Sequence, residues 1–292
     1  MLKVACIPAY NVGNMIYDVV SKSKNFVDMV IVCDDGSVDD TVKQASRAGA
    51  TVISHEKNLG KGAALKSLFN YCVKINADVI VTIDGDGQFL PEEIPKIIKP
   101  ILENSFDVVI GNRYSEDTEM PAYRKTGNKI LDKISKLASD LPFDDTQSGF
   151  RSYSQIAIRK IHFTTNGFGA DSEILIDASQ KNLKISEINV KVIYDTGENT
   201  STKNPISHTG EVLSSLIEQV ALRHPLKYLG IPAILFLILG SIFGIHVISV
   251  FNITRYFSLP FTLLSLGTII VGSILIFMAI VLFSIGRTRN ND

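Results

Sequence analysis

Two carboxylates one residue apart, in Asp84-Gly85-Asp86-Gly87-Gln88, have the sharpest chemical meaning in this 292-residue chain. On a tight turn they offer hard oxygen ligands to Mg²⁺ or Mn²⁺, ions that complete their shell with substrate phosphates. The same letters open an EF-hand loop, but the twelfth position from Asp84 is Pro95 where a bidentate Glu is required. An Asp- and Gly-rich surface turn carries such a pattern without any function. Asp34-Asp35-Gly36-Ser37 taken alone likewise reads as a turn with a helix cap. Two carboxylate pairs, each following a strand-like run, argue against the bland reading. Gly60-Lys61-Gly62, at a helix start, offers backbone amides to a phosphate. It lacks the Gly and the Ser or Thr of a P-loop, and no GxGxxG supports a nicotinamide nucleotide.

The elements that carry these residues follow from periodicity. Lys3–Pro8, Met29–Cys33, Thr51–Ser54, Val79–Ile83 and Val108–Ile110 are short β-branched runs. Helical patterns near 14–24, 38–48, 60–74 and 91–103 lie between them. Such alternation predicts βαβ units and a parallel sheet covered on both faces. Ligands of an open parallel sheet bind beyond the carboxyl ends of its strands. There the sequence puts Pro8-Ala9-Tyr10-Asn11, Asp34-Asp35, Asp84–Gln88 and Gly111-Asn112-Arg113. So many carboxylates on one edge call for a cation or a hydroxyl-rich ligand.

Beyond residue 111 the alternation breaks. Lys125–Leu137 sets Ile130, Leu131, Ile134 and Leu137 on one helical face and Lys125, Lys129 and Lys133 on another. A basic amphipathic helix suits a membrane surface, and equally the cover of a sheet. Glu211–Leu222 repeats the pattern. Leu229–Phe251 and Leu259–Ile285 then run without a formal charge, each long enough to cross a bilayer. Arg223, Lys227, Arg287 and Arg289 flank the pair and only Arg255 lies between, which predicts a cytoplasmic N-terminal part. The first residues do not read as a signal peptide. Cys6, Cys33 and Cys72 have no CxxC spacing and read as buried thiols. A formal net charge of −1 argues against a partner bound through a basic field, and no nucleic acid is expected.

Ile7-Pro8-Ala9-Tyr10-Asn11, Asp34-Asp35-Gly36-Ser37, Asn58-x-Gly60-Lys61-Gly62, Asp84–Gln88, Gly111-Asn112-Arg113 and Gln147-Ser148-Gly149-Phe150-Arg151 together resemble family-2 glycosyltransferases. More narrowly, residues 1–210 look like dolichyl-phosphate mannose and glucose synthases. Val12 departs from the pattern, since the family usually has an acidic residue there. The resemblance implies a GT-A-type α/β sandwich with a mostly parallel sheet, followed by a linker at 211–228, a two-helix membrane hairpin at 229–285 and a cytoplasmic tail at 286–292. It implies that Pro8, Tyr10 and Asp35, with Asp34, hold base and ribose. Asp84, Asp86 and Gln88 would hold Mg²⁺ or Mn²⁺ against the diphosphate of a GDP- or UDP-linked sugar. Lys61, Arg151 and Lys203 would complete the donor site, and Asp145 and Arg151 flank the segment lining the sugar. Arg113, with Arg124 or Lys125, would bind the phosphate of a polyprenyl lipid. Asp86, Arg113 and Asp145 would stand at the reacting centre.

The implied reaction is inverting transfer of a hexose to that lipid phosphate. A phosphate monoester is largely dianionic near pH 7 and is already a nucleophile. Two other readings share some of these features. A processive polysaccharide synthase has the carboxylate pair but a QxxRW segment, and this chain has no Trp. A membrane-anchored sugar-nucleotide binder has no use for Arg113 beside Asp84 and Asp86.

Overall fold

The computed structural model describes residues 1–114, 143–167, 169–193 and 225–289, with side chains as far as Ser284. The expected helix Lys125–Leu137 with Arg124 and Lys125, the stretch Asp195–Ser207 with Lys203, and Glu211–Leu222 lie outside the described residues. The chain divides into two units, Met1–Leu216 and Ile217–Asp292.

In the first unit the apolar runs form strands buried on both faces. They are β1 (Lys3–Ala9), β2 (Met29–Asp34), β3 (Thr51–Ser54), β4 (Val79–Thr82) and β5 (Val108–Asn112). Val4–Ile7, Ile31–Cys33 and Val108–Ile110 are fully buried, as strands between two helical layers must be. Between the strands lie α1 (Ile16–Ser23), α2 (Thr41–Arg47), α3 (Lys61–Lys74) and α4 (Ile94–Leu102). The last follows a single 3₁₀ turn, Pro91–Glu93, where Pro at the first position has no amide to leave unbonded. α3 buries Leu65, Leu68, Phe69 and Cys72 against one face of the sheet. α4 buries Ile94, Ile97, Ile98 and Ile101 against the other.

Three further strand and helix pairs complete the layer arrangement: β6 (Arg151–Ser154) with α5 (Gln155–Lys160), then α6 (Ala170–Gln180) and β7 (Ile185–Asn189). The seven strands stand in the order β3-β2-β1-β4-β6-β5-β7. All pairs are parallel except those of β6, which runs antiparallel between β4 and β5. The sheet is therefore mostly parallel, as expected, with one inserted strand that no periodicity announced. Arg-Ser-Tyr-Ser has no apolar alternation, yet β6 is buried because its polar groups are met. Ser152 Oγ donates to the Ile97 carbonyl at 2.6 Å, and Tyr153 packs edge-on against Phe69. The strand order reverses between β1 and β4, so their carboxyl ends open the crevice where ligands of such sheets bind.

The second unit is a helical hairpin. After a π-type turn, Leu226–Gly230, come α7 (Ile231–Thr254) and α8 (Leu259–Arg289). The apolar segments Leu226–Thr254 and Leu259–Ser284 are 29 and 26 residues long, enough to cross a membrane. Ala233, Gly240 and Val247, seven residues apart, are the buried positions of α7. A Cβ on Gly240 would come within 2.6 Å of Ile269, and Ser265 Oγ donates to the Gly240 carbonyl at 2.8 Å. Gly272 sits equally tightly against the Ala233 carbonyl, so small residues let the backbones approach. Gly267, by contrast, has no neighbour within 4 Å. Arg255, left-handed at φ 55°, closes α7 by donating its amide to the Phe251 carbonyl.

Gly240→Leu is expected to lower the thermal unfolding midpoint of the full chain in detergent, followed by circular dichroism. Gly267→Leu is expected to leave that midpoint unchanged.

Candidate active site

The loops that end β1 and β2 are sewn together. Asn11, left-handed at φ 52°, donates its amide to Ser37 Oγ at 2.8 Å, and its side-chain oxygen accepts from the Val38 amide at 3.0 Å. The amides of Val12 and Gly13 donate to Thr41 Oγ1 and Asp39 Oδ2, both at 2.9 Å. Burial pushes the Asp39 carboxyl up, but the Thr41 hydroxyl and the Gly13 amide outweigh it and hold it below the usual range. Pro8 and Tyr10 are half-buried beside this seam.

Asp35 is engaged by the protein itself. Its buried carboxylate accepts from His55 Nδ1 at 2.7 Å and from the amides of Leu59 and Gly60 at 3.0 and 2.7 Å. Asp35 thereby folds residues 55–60 onto the end of β2. His55 Nε2 lies 2.9 Å from Ser67 Oγ, which fixes the ring from its other side. Asp34, also buried, meets the Ser37 amide at 3.3 Å. Burial, with Asp35 and Asp34 adding to it, pushes the Cys33 thiol up to about 12. All three cysteines are buried and free, as their surroundings in the sequence suggested.

The expected use of Gly60-Lys61-Gly62 needs correction. The amides of Gly62 and Ala63 both donate to the Asn166 carbonyl, at 2.7 and 3.2 Å, and so are not presented to a phosphate. The signal was a helix N-terminus, and the chain caps that N-terminus itself. Lys66 Nζ reinforces the joint through the Thr164 carbonyl and Asn166 Oδ1, at 2.6 and 2.7 Å. What the motif supplies is the Lys61 side chain. Its Nζ lies 2.8 Å from Asp84 Oδ1 and 3.2 Å from Asp171 Oδ2. Burial alone would pull this ammonium down, yet Asp171 and Asp84 together hold it above the usual lysine value. Gly149 closes over the pair. A Cβ there would stand 2.5 Å from Lys61 Nζ and 2.6 Å from Asp84 Oδ2, so a side chain would displace one of them.

Asp86 and Gln88 are half-buried on the turn after β4, where Gly87 is left-handed at φ 72°. Asp86 Oδ1 accepts the Gln88 amide at 3.1 Å, and the Gln88 carbonyl accepts from Ile193 at 2.9 Å. Among the described residues no three His, Cys, Asp or Glu side chains gather to hold a metal alone. Asp84 and Asp86 instead supply two hard carboxylates on one short turn. That donor set fits an ion of the Mg²⁺ or Mn²⁺ kind, which takes its remaining ligands from phosphates and water.

Beyond β5, Arg113 is gripped by Asp145. Nε and Nη2 reach the two carboxylate oxygens at 2.7 Å each, and the Arg113 amide adds a bond of 2.9 Å. Asp145 is fully buried, and its own amide donates to Glu187 Oε1 of β7 at 2.8 Å. Burial raises the Glu187 carboxyl above its ordinary value, against the amides of Asp144 and Asp145. Residues 145–149 thus run from the Arg113 clamp to the Lys61–Asp84 pair.

The structure gives Arg151 a different neighbourhood from the sugar-lining one expected. It is wholly buried in β6, donating Nη1 to the Asp171 carbonyl at 2.6 Å and Nη2 to the Thr146 carbonyl at 2.8 Å. Its guanidinium ties the 145–149 segment to the start of α6. Asp171, Glu173, Glu187 and His55 escaped the sequence reading. The acids at 171 and 173 in the first turn of a helix after Gly167 and Gly169 were the one available signal.

A profile of the family described as Glycosyl transferase family 2 matches residues 4–163. A UDP-N-acetylglucosamine–dolichyl-phosphate N-acetylglucosaminyltransferase of Methanococcus voltae is 34% identical over 64% of this chain and 84% of its own. A dolichyl-phosphate hexose transferase of Haloferax volcanii is 29% identical over 68% of this chain and 83% of its own. Among solved structures, glucosyl-3-phosphoglycerate synthase from Mycobacterium tuberculosis, crystallised with Mn²⁺ and UDP-glucose, superposes with a TM-score of 0.62. It shares 22% identity and covers 75% of this chain and 79% of its own, a likeness of fold.

Glu173 provides a test of the joint that carries Lys61. It accepts the amides of Thr164 and Thr165 at 2.8 Å each. Burial pushes its carboxyl up, but the hydrogen bonds from Thr165 and Thr164 prevail and hold it below 4.5. A depressed carboxylate contributes stability above its unfolded value and loses it as pH falls through the folded value. Glu173→Gln is therefore expected to cost about 1 kcal/mol at pH 7. Urea unfolding in detergent should show that difference shrinking as pH drops below 4.5.

Proposed function

The chain belongs to glycosyl transferase family 2, and from that premise we propose that it transfers a hexose from a nucleotide-linked donor to a polyprenyl phosphate of the dolichyl type, with inversion. The observation that carries this reading is the Asp84–Asp86 turn at the β1/β4 switch point, in a chain that also holds two helices of membrane length. Relatives that act on dolichyl phosphate support the acceptor class, and a fold neighbour crystallised with UDP-glucose and Mn²⁺ supports the donor class. GDP- and UDP-linked sugars both suit the site as read here. The product is a lipid-phosphate sugar, a donor for later glycan assembly.

The chain's own groups have three tasks. Arg113, oriented by Asp145, draws the acceptor phosphate to the carboxyl end of β5. Arg124 or Lys125 adds positive charge to that end. A dianionic phosphate needs no general base, so alignment with the anomeric carbon is the main requirement. Its oxygen attacks the anomeric carbon as the bond to the departing diphosphate breaks on the opposite side, which inverts the centre. Pro8, Tyr10 and Asp34 hold the nucleoside end, and Lys61 and Lys203 face the diphosphate. Asp84 and Asp86, with Gln88, would hold Mg²⁺ or Mn²⁺, which when bound neutralises charge on the departing diphosphate. Asp35 and Arg151 serve the site by holding its loops in place.

The hairpin then tethers the enzyme, as a multi-pass membrane protein, to the bilayer that holds its acceptor. Basic residues at the outer ends of the hairpin favour a catalytic unit on the cytoplasmic face.

The full chain in detergent, given a short-chain polyprenyl phosphate and GDP-mannose, UDP-glucose or UDP-N-acetylglucosamine in turn, is expected to form a β-linked product that EDTA suppresses. Asp86→Asn should lower kcat on the order of a thousandfold. Arg113→Ala should chiefly raise KM for the lipid phosphate, on the order of tenfold or more. No product with any donor, or parental rates in both variants, would overturn the assignment.

A further inference from the structure

Asp171 has no place in the reaction just described, yet it is 5% exposed and shares the Lys61 ammonium with Asp84. The carboxylate oxygens of Asp84 and Asp171 on that nitrogen lie within about 6 Å of one another. Three elements contribute: Lys61 opens α3, Asp84 follows β4 and Asp171 stands in the first turn of α6. Each is fixed from behind. Asn166 caps α3, Thr82 Oγ1 donates to the Gly149 carbonyl at 2.8 Å, and Arg151 holds the Asp171 carbonyl.

The charges of this group matter more than its packing. Lys61 and Asp84 alone would cancel, leaving Asp86 as the one net negative charge on the turn. Adding Asp171 returns the group Lys61, Asp84, Asp86 and Asp171 to a formal charge of −2, which matches a divalent cation. We infer that Asp171 is a positioning residue that shares Lys61 and so keeps Asp84 available to a divalent cation, setting the cation affinity of the turn. This rests on the reading of Asp84 and Asp86 as the cation-holding pair and adds the counter-charge that tunes it. Asp171 acts through Lys61 and need not touch the cation or the substrate.

The sign of the effect separates this role from a structural one. Removing the negative charge with Asp171→Asn leaves −1 and is expected to weaken Mn²⁺ binding on the order of tenfold. Removing the positive charge with Lys61→Met leaves −3 and is expected to tighten it by a similar factor. The double variant Lys61→Met/Asp171→Asn returns to −2 and should bind Mn²⁺ about as the parent does. A structural tie between α3 and α6 would weaken binding in all three.

The measurement is Mn²⁺ binding to the detergent-solubilised full chain, read from the electron paramagnetic resonance signal of free Mn²⁺, with no nucleotide or lipid present. Thermal unfolding of each variant in parallel shows that the fold persists. Opposite shifts in the single variants with recovery in the double variant support the inference. Unchanged binding in Asp171→Asn, or losses in all three variants, overturns it while leaving the carboxylate turn as the cation site. Failure of the parent chain to bind Mn²⁺ overturns both. If a variant no longer unfolds cooperatively, Asp171→Glu, which keeps the charge, is expected to retain the parental affinity, and weakened binding there overturns the inference.

Discussion

One ammonium between two carboxylates organises the carboxyl edge of this sheet. Taking a lysine and two aspartates out of water is costly, and the cost is offset only where geometry is tight and the remaining polar atoms are met. Much of the surrounding chain meets that demand. Gly149 leaves room where any side chain would intrude, and Asn166 caps the helix that presents Lys61. Arg151 spends its guanidinium on the two carbonyls that fix Asp171 and the 145–149 segment. Removing one member leaves a buried charge alone, so these residues are linked more strongly than their separation in sequence suggests.

The fold was legible where burial imposes a pattern. β1 to β5 are apolar on both faces, and their runs in the sequence fall within a residue or two of the strands. The carboxyl-edge motifs were legible for a related reason: Asp, Gly and Asn interrupt those runs at the positions where strands end. β6 was not legible, because a strand reading Arg-Ser-Tyr-Ser owes its burial to partners distant in sequence, the Ile97 carbonyl and Phe69 among them. Asp171 and Glu187 were equally hidden. A single acid on a helix or strand has no local signature, and its importance comes from Lys61 and the Asp145 amide, which only the tertiary fold brings near. Asp35 shows the converse. Its motif was visible, but the saturation of its carboxylate by His55, Leu59 and Gly60 was not.

The composition averages over two unlike parts. Up to Tyr228 the chain carries 26 basic against 29 acidic residues, a slight acidity suited to a site that needs a cation. Beyond it, charges almost vanish and the surface of the hairpin is apolar. A positive mean hydropathy in a chain one fifth charged is the sum of a water-soluble sheet and a lipid-soluble hairpin. The two are built on different rules. The sheet excludes water with branched side chains, whereas the hairpin brings its backbones together with glycine and serine.

The reversed strand also acts as a ruler. Because β6 stands between β4 and β5, the ends that carry Asp84 and Arg113 are two strand spacings apart, about 10 Å. A sheet with β4 and β5 adjacent would halve that gap. The interval leaves width for one sugar ring with a phosphate on either side. Running antiparallel, β6 starts at the carboxyl edge, so residues 145–150 arrive across that interval as its floor. The spacing between donor and acceptor groups is thus written in the hydrogen-bond ladder of the sheet, where a change of side chain cannot easily alter it.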